Sequence, residues 1–398
     1  MDAVFVFGDR IALDQDGRLY TGTSFSQEVF DRYLNCFDRL TLLMRKSPID
    51  PLDRTAFAGL NPLTSDRIDV VFLPDTVASV KDFVDLRIRS EIRSILEEQI
   101  VRQKAVILRL QSYYSFEAAR ICVKRRIPYL AEAVVCPWDS LMHHSLKGRI
   151  LAPFEAAQMR YSMKNASYAI YVTKHFLQKR YPTNGISTAI SDVELLPSDE
   201  AVLKNRLKKI SALKSQSRTL RIRTAGSVQV AYKGQRFVFK ALARLKKEGS
   251  CSYQYHLAGG GDNSALSKLA RHLDIEDLIV FEGMMSHEKM FEWLDSLDLY
   301  LQPSQVEGLS RALVEAMSRG LPAFASDAGG NPELLDPECI HKRESVSEIA
   351  EELTRLTPEK MYQMARRNYR EAGKYQKEFL SEKRRRFLEE FAICAGGR

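Results

Sequence analysis

Two glutamates eight positions apart, Glu307 and Glu315, stand in the run Ser304-Gln305-Val306-Glu307-Gly308-Leu309-Ser310-Arg311-Ala312-Leu313-Val314-Glu315-Ala316-Met317. The apolar spacing predicts a helix over 310–319 after a strand over 299–301, which puts the amides of Gly308, Leu309 and Ser310 at a helix N-terminus. Unpaired amides and the positive end of the macrodipole stabilise a phosphate there. Gly308 lets a ligand approach the backbone closely. Eight helical residues cover about 12 Å at 1.5 Å each, a span like that between the hydroxyls at the two ends of a sugar-nucleotide diphosphate. Glu307 could then accept hydrogen bonds from a sugar and Glu315 from a ribose. Taken alone, the pair also reads as two solvated glutamates on an amphipathic helix.

The run resembles the E-x7-E signature of the retaining GT-B glycosyltransferases of family 4. Gly320-Leu321-Pro322-Ala323-Phe324-Ala325-Ser326 and Gly329-Gly330-Asn331-Pro332-Glu333 are similar to that family's continuation. Further segments fall in the family's order, and the resemblance is strong over 220–335. Gly226 ends a predicted strand and Lys233-Gly234 opens the next helix; the resemblance implies that Lys233 neutralises a donor diphosphate. His256-Leu257-Ala258-Gly259-Gly260-Gly261-Asp262 and Val280-Phe281-Glu282-Gly283 resemble two intermediate blocks, the second of which borders the nucleobase. Where the family places an arginine directly after the first glycine, this chain has Ser227, so that either Arg311 or Arg236 replaces the charge or donor affinity is weaker.

In the first half the resemblance is weak. The nearest match to the family's glycine-rich phosphate and acceptor loop is Tyr20-Thr21-Gly22-Thr23-Ser24-Phe25-Ser26, which makes Gly22 and Thr23 candidates, a plain turn being the alternative. Where the family has a histidine on the donor sugar, 128–139 offers Glu132 and Asp139, as polar contacts or as core or surface residues. The resemblance implies transfer from a UDP- or GDP-sugar to a carbohydrate or lipid-linked acceptor, with retention, in bacterial cell-surface polysaccharide synthesis. Lys233 and Glu307 would carry catalysis. Gly226, Ser227, Glu282, Gly308, Leu309, Ser310 and Glu315 would hold the donor, with no cofactor and no metal ion. A GT-B phosphorylase and a basic nucleic-acid-binding protein are the alternatives. Nucleic acid is not expected as a partner, because the basic runs lack the interleaved aromatics of stacking platforms.

Two patterns imitate other chemistry. Gly259-Gly260-Gly261 with Glu282 about twenty residues on imitates a dinucleotide fingerprint, but Ser264 replaces its third glycine. Asp14-Gln15-Asp16-Gly17 could hold a divalent cation and reads better as a turn.

A frame must position these residues. With 398 residues, 45% hydrophobic and 28% charged, the chain suits two globular domains. No apolar run approaches the ~18–20 residues that span a bilayer, and the first ten lack a signal-peptide pattern, so a cytoplasmic protein is expected. The cysteines, Cys36, Cys122, Cys136, Cys251, Cys339 and Cys394, are scattered and read as reduced packing residues. A net charge of +8 favours an anionic partner. Besides the nucleotide, an anionic membrane surface would meet the first domain at Lys124-Arg125-Arg126.

Strands predicted over 3–7, 40–44, 69–73, 105–108, 128–135 and 169–173, with a helix over 160–166, compose a first sheet. Strands over 220–225, 253–258, 279–281, 299–301 and 323–325 alternate with helices over 237–247, 264–272, 288–294 and 310–319 in a second. The expectation is an α/β GT-B fold, two facing Rossmann-like doubly wound domains with an inter-domain cleft. The acceptor-binding domain would span 1–183, a basic connection 184–218 and the donor-binding domain 219–372. A helical tail, 373–398, would cross back to the first domain.

Overall fold

Aliphatic runs separated by helices bury both faces of a strand, and that demands parallel sheets covered on both sides. The computed structural model of the protein describes residues 1–22, 25–76, 85–143, 145–197, 199–213 and 219–397. In the first sheet, Ala3–Leu13 is central. Leu40–Lys46 and then Ile68–Leu73 lie parallel on one side, and Ala105–Leu110, Tyr129–Ala133, Tyr168–Tyr171 and Ile186–Ala189 on the other. The first strand runs past the expected 3–7 because its register with Leu40–Lys46 slips between Val6 and Arg10 and its far end pairs antiparallel with Leu19–Thr21.

The second sheet has six parallel strands in the order Ile279–Gly283, Tyr253–Ala258, Leu220–Ala225, Leu299–Gln302, Ala323–Ser326 and Ile340–His341. The order reverses between Leu220–Ala225 and Leu299–Gln302, and the crevice at the carboxyl ends of such a pair is where doubly wound sheets bind ligands. Helix Gln235–Lys247 covers one face by burying Phe237, Val238, Phe239, Leu242 and Leu245. The chain is therefore an α/β protein of two Rossmann-like lobes.

The stretch 184–218, expected to be a connection, carries structure of its own. Ile186–Ala189 is the edge strand of the first sheet, and helix Glu200–Ala212 packs on the second lobe. Buried Arg206 on that helix donates to the carbonyls of Leu294 and Leu297. A cation used as a core residue, with few apolar partners, is what made the helix read as a basic linker.

The final helix, Lys377–Gly396, lies on the first lobe, where Phe387 and Phe391 meet the Tyr168 ring at 5.4 and 5.5 Å. The two crossings between lobes touch: Leu195 N donates to Tyr375 O at 3.1 Å, and Lys377 N donates to Leu195 O at 2.8 Å.

Candidate active site

At the strand-order reversal, the lysine and the first glutamate singled out in the sequence come together. Lys233 Nζ lies 2.9 Å from Glu307 Oε1, with both side chains largely buried. The lysine stem runs across Gly226, where an added Cβ would meet Lys233 Cδ at 3.3 Å. Gly234 follows at φ +78, and a Cβ there would fall 1.9 Å from Pro303 O. Only glycine lets the chain turn into helix Gln235–Lys247 this close to the next strand. Glu307 is held from behind as well, by Gln302 Nε2 at 3.0 Å, and Gln302 Oε1 in turn accepts from buried Tyr300 Oη at 2.5 Å.

The helix after Glu307 begins one residue later than expected. It spans Arg311–Ser318, and Ser310 is its cap, accepting from Leu313 N at 3.3 Å. The amides of Arg311 and Ala312 therefore join that of the cap, Ser310, among those at the helix start that can meet an anion. Gly308 also lies close against the first lobe. Its carbonyl accepts from Gly330 N at 2.7 Å, and a Cβ on it would lie 2.0 Å from Val134 O of the first lobe.

Between the lobes lies a cavity of about 240 Å³, lined from the first by Arg32, Arg109 and Asp192 and from the second by Gly308, Leu309 and Arg311. An adjoining cavity of about 250 Å³ has Lys174, Lys374 and Lys383 around apolar Val172, Leu309 and Phe379. Further contacts join the lobes. Glu333 accepts from the amides of Lys174, His175 and Phe176 at 2.5, 3.0 and 2.7 Å, and Arg343 lies 3.6 Å from Asp139.

The first-lobe candidates divide. Glu132 is buried in a charge cluster that the sequence did not disclose: it accepts from Tyr33 Oη at 2.8 Å and from Arg109 Nη1 at 3.0 Å, and Arg109 also donates to Asp192 at 2.6 Å. Arg384 from the final helix donates to Asp192 at 3.2 Å. Burial opposes charge here, yet the opposite signs win: Arg109 is held above its ordinary pKa by Asp192 and Glu132, and Asp192 well below its own by Arg109 and Arg384. Arg109 and Asp192 are the members that reach the cavity. Asp139 is likewise buried, paired with Arg180 at 2.7 Å. Gly22 closes a turn, its carbonyl accepting from Phe25 N at 3.1 Å and Asn61 Nδ2 at 3.0 Å. Helix Gln27–Leu34, which follows, gives Val29 and Arg32 to the cavity lining. Thr23 lies outside the described residues.

Glu282 sits in a network with His256 Nδ1 at 2.7 Å and Trp293 Nε1 at 3.2 Å. Buried Arg223 lies 3.4 Å over the Trp293 ring, its pKa pushed down to about 10 by burial against the pull of Tyr300, Glu315 and Glu282. Glu315 thus faces the same corner as Glu282, from helix Arg311–Ser318. Ser227 supplies no cation; its carbonyl accepts from Gln235 Nε2 at 3.1 Å. Of the two substitutes, Arg236 is tied to Gln305 at 3.0 Å, whereas Arg311 lines the cavity. Asp14 is occupied in its turn, accepting from the amides of Asp16 and Arg18 at 2.9 and 2.8 Å. Among the described residues no group of three or more His, Cys, Asp or Glu is placed to hold a metal ion.

A family model for glycosyl transferases group 1 matches residues 219–358. Protein CapJ of Staphylococcus aureus is 31% identical over 347 residues, 86% of this chain and 83% of CapJ. The chain belongs to the group 1 glycosyltransferases. The amylovoran biosynthesis glycosyltransferase AmsK of Erwinia amylovora is 36% identical to the transferase over 111 residues, 26% of this chain and 27% of AmsK. Among solved structures, Anabaena Alr3699/HepE in complex with UDP-glucose matches with a TM-score of 0.61 at 15% identity, over 98% of this chain and 100% of that one. The transferase therefore has the GT-B fold. No described helix is long and apolar enough to cross a membrane.

Proposed function

We propose that the transferase moves a hexose from a UDP- or GDP-sugar to a carbohydrate or lipid-linked acceptor with retention at the anomeric carbon, as a family 4 enzyme of the E-x7-E type. The observation that carries this reading is the Lys233–Glu307 pair at the strand-order reversal, beside a cavity walled by both lobes. A diphosphate bound there draws Lys233 and Arg311 and meets the amides that open helix Arg311–Ser318. Glu307, still oriented by Gln302, accepts from the hydroxyls of the sugar, and Glu315 from those of the ribose. The bond from the anomeric carbon to the diphosphate breaks as an acceptor oxygen bonds to that carbon. The acceptor proton passes to the departing diphosphate, so no protein base and no metal ion is required. Lysines and an exposed phenylalanine around the adjoining cavity suit an acceptor that is anionic and partly apolar, such as one carried on a lipid.

AmsK, named for amylovoran biosynthesis, and HepE, which holds UDP-glucose, support polysaccharide synthesis and a nucleotide-sugar donor here. The test is a thermal-shift panel of nucleoside diphosphates, because a ligand that binds only the folded chain raises its melting temperature. UDP or GDP should stabilise the parent and do so less in Glu315→Ala. Absence of any shift across the panel would refute the reading.

A further inference from the structure

Helix Leu146–Lys164 buries one face through Ala152, Ala156, Met159 and Met163. Its opposite face is also apolar. Leu146 is 76% exposed, Ile150 80%, Phe154 54% and Tyr161 41%, and steps of four, four and seven residues align them in one stripe along the helix. Soluble proteins seldom leave so many large apolar side chains contiguous in water.

The margins of the stripe are basic. Lys147, Arg149, Arg160 and Lys164 are all exposed on the same helix, whose one acid, Glu155, is half-buried. An outward apolar stripe between cations is the pattern of a helix that lies in a membrane interface. Lys124-Arg125-Arg126 extends the basic charge at one end, since Tyr129, three residues on, donates to the carbonyl of Ser162 at 2.6 Å. That run supplies charge and no apolar contact, and Arg125 is already paired with Glu97.

From this face we infer that the transferase attaches peripherally to an anionic lipid surface through helix Leu146–Lys164, with Leu146, Ile150, Phe154 and Tyr161 inserted and the flanking cations on the headgroups. A second copy fits the face poorly, because two-fold pairing of the stripe would bring its basic margins against each other. This attachment goes beyond the transfer reading and does not depend on it.

Flotation of the full chain with vesicles of phosphatidylcholine alone, and of phosphatidylcholine with phosphatidylglycerol, tests it. The parent should float with the anionic vesicles only. The double substitution Ile150→Glu with Phe154→Glu should cut vesicle binding by on the order of tenfold or more. Arg149→Glu with Arg160→Glu should weaken it and make the remainder less sensitive to salt. Circular dichroism and the melting temperature check that each variant folds, and both positions are already solvated, so folding should persist. Equal binding by Ile150→Glu/Phe154→Glu and parent, or no binding by the parent to either vesicle, would overturn the proposal. So would a dimer in sedimentation that these substitutions dissociate, since the stripe would then be covered by a second copy.

Discussion

Lys233 Nζ and Glu307 Oε1 stand 2.9 Å apart, so the cation suited to a diphosphate and the carboxylate suited to sugar hydroxyls share one ion pair. In the proposed reaction, donor phosphates would compete with Glu307 for the ammonium, which would offset part of their binding. As the glycosidic bond broke, negative charge would grow on the diphosphate, and the ammonium would stabilise that state more than the ground state.

Lys233→Ala should therefore reduce turnover by about a hundred- to a thousandfold, with a much smaller change in donor affinity. Lys233→Arg should recover little, because a planar fork replaces a compact charge whose stem runs across Gly226. Steady-state kinetics on both variants decides it. Turnover within about threefold of the parent would show that the diphosphate is held elsewhere.

Glu315→Ala should weaken nucleoside diphosphate binding by about 1.5–3 kcal/mol, the worth of hydrogen bonds to an ionised acceptor. Titration calorimetry reads this directly. Unchanged affinity would remove Glu315 from the donor site.

Turnover should persist in excess chelator, since the donor charge would be met by Lys233, Arg311 and helix amides. Restoration of a lost activity by Mn2+ would require carboxylates to serve as ligands, and Asp14, now engaged by two backbone amides, would have to leave its turn.

Gly308→Ala should separate binding from transfer. A Cβ would press within 2.0 Å of Val134 O, which is backbone and cannot move aside, so the lobes must part. Nucleoside diphosphate affinity should stay within about threefold while turnover falls by on the order of tenfold or more. Small-angle scattering should show a larger radius. An active variant with unchanged scattering would mean that this contact is dispensable.

Asp192→Asn should destabilise the chain by up to about 3 kcal/mol at neutral pH, because Arg109 and Arg384 lose a partly buried counter-charge and keep only Glu132. Burial alone would raise the pKa of Asp192, and the two guanidiniums depress it. A carboxyl depressed in the folded state gives its full stabilisation above its unfolded pKa and loses it as pH falls through the folded value. The difference between parent and variant in urea unfolding should hold steady from neutrality and shrink only below about pH 4. A difference that fades between pH 7 and 5 would show that Asp192 is not ionised in the cluster.

Much of the second lobe was legible because its elements are short, apolar and bounded by glycine. Strand ends and helix starts set the places of Gly226, Glu307 and Glu315, but the family resemblance was needed to single them and Lys233 out. The cap at Ser310 moved the helix start by one residue, a shift that periodicity does not resolve. The first lobe was harder, because its polar core depends on partners far apart in sequence. Glu132 meets Tyr33, Arg109 and Arg384 only in three dimensions, and nothing near position 132 announces them. The helix around Arg206 was hidden for a similar reason: a buried cation bonded to carbonyls looks in sequence like any solvated one.

The two lobes are joined at Leu195 and again at Gln376, and backbone hydrogen bonds tie these crossings to each other. A single tether would let one lobe twist and translate freely against the other, whereas a door hung on two linked pins can only swing. Any movement between the lobes would then be confined to nearly one coordinate, along which Gly308 faces Val134 and Glu333 faces the amides of residues 174–176 in one register. Geometry at the reacting carbon can thus be reproduced on every turnover without a rigid interface between the lobes.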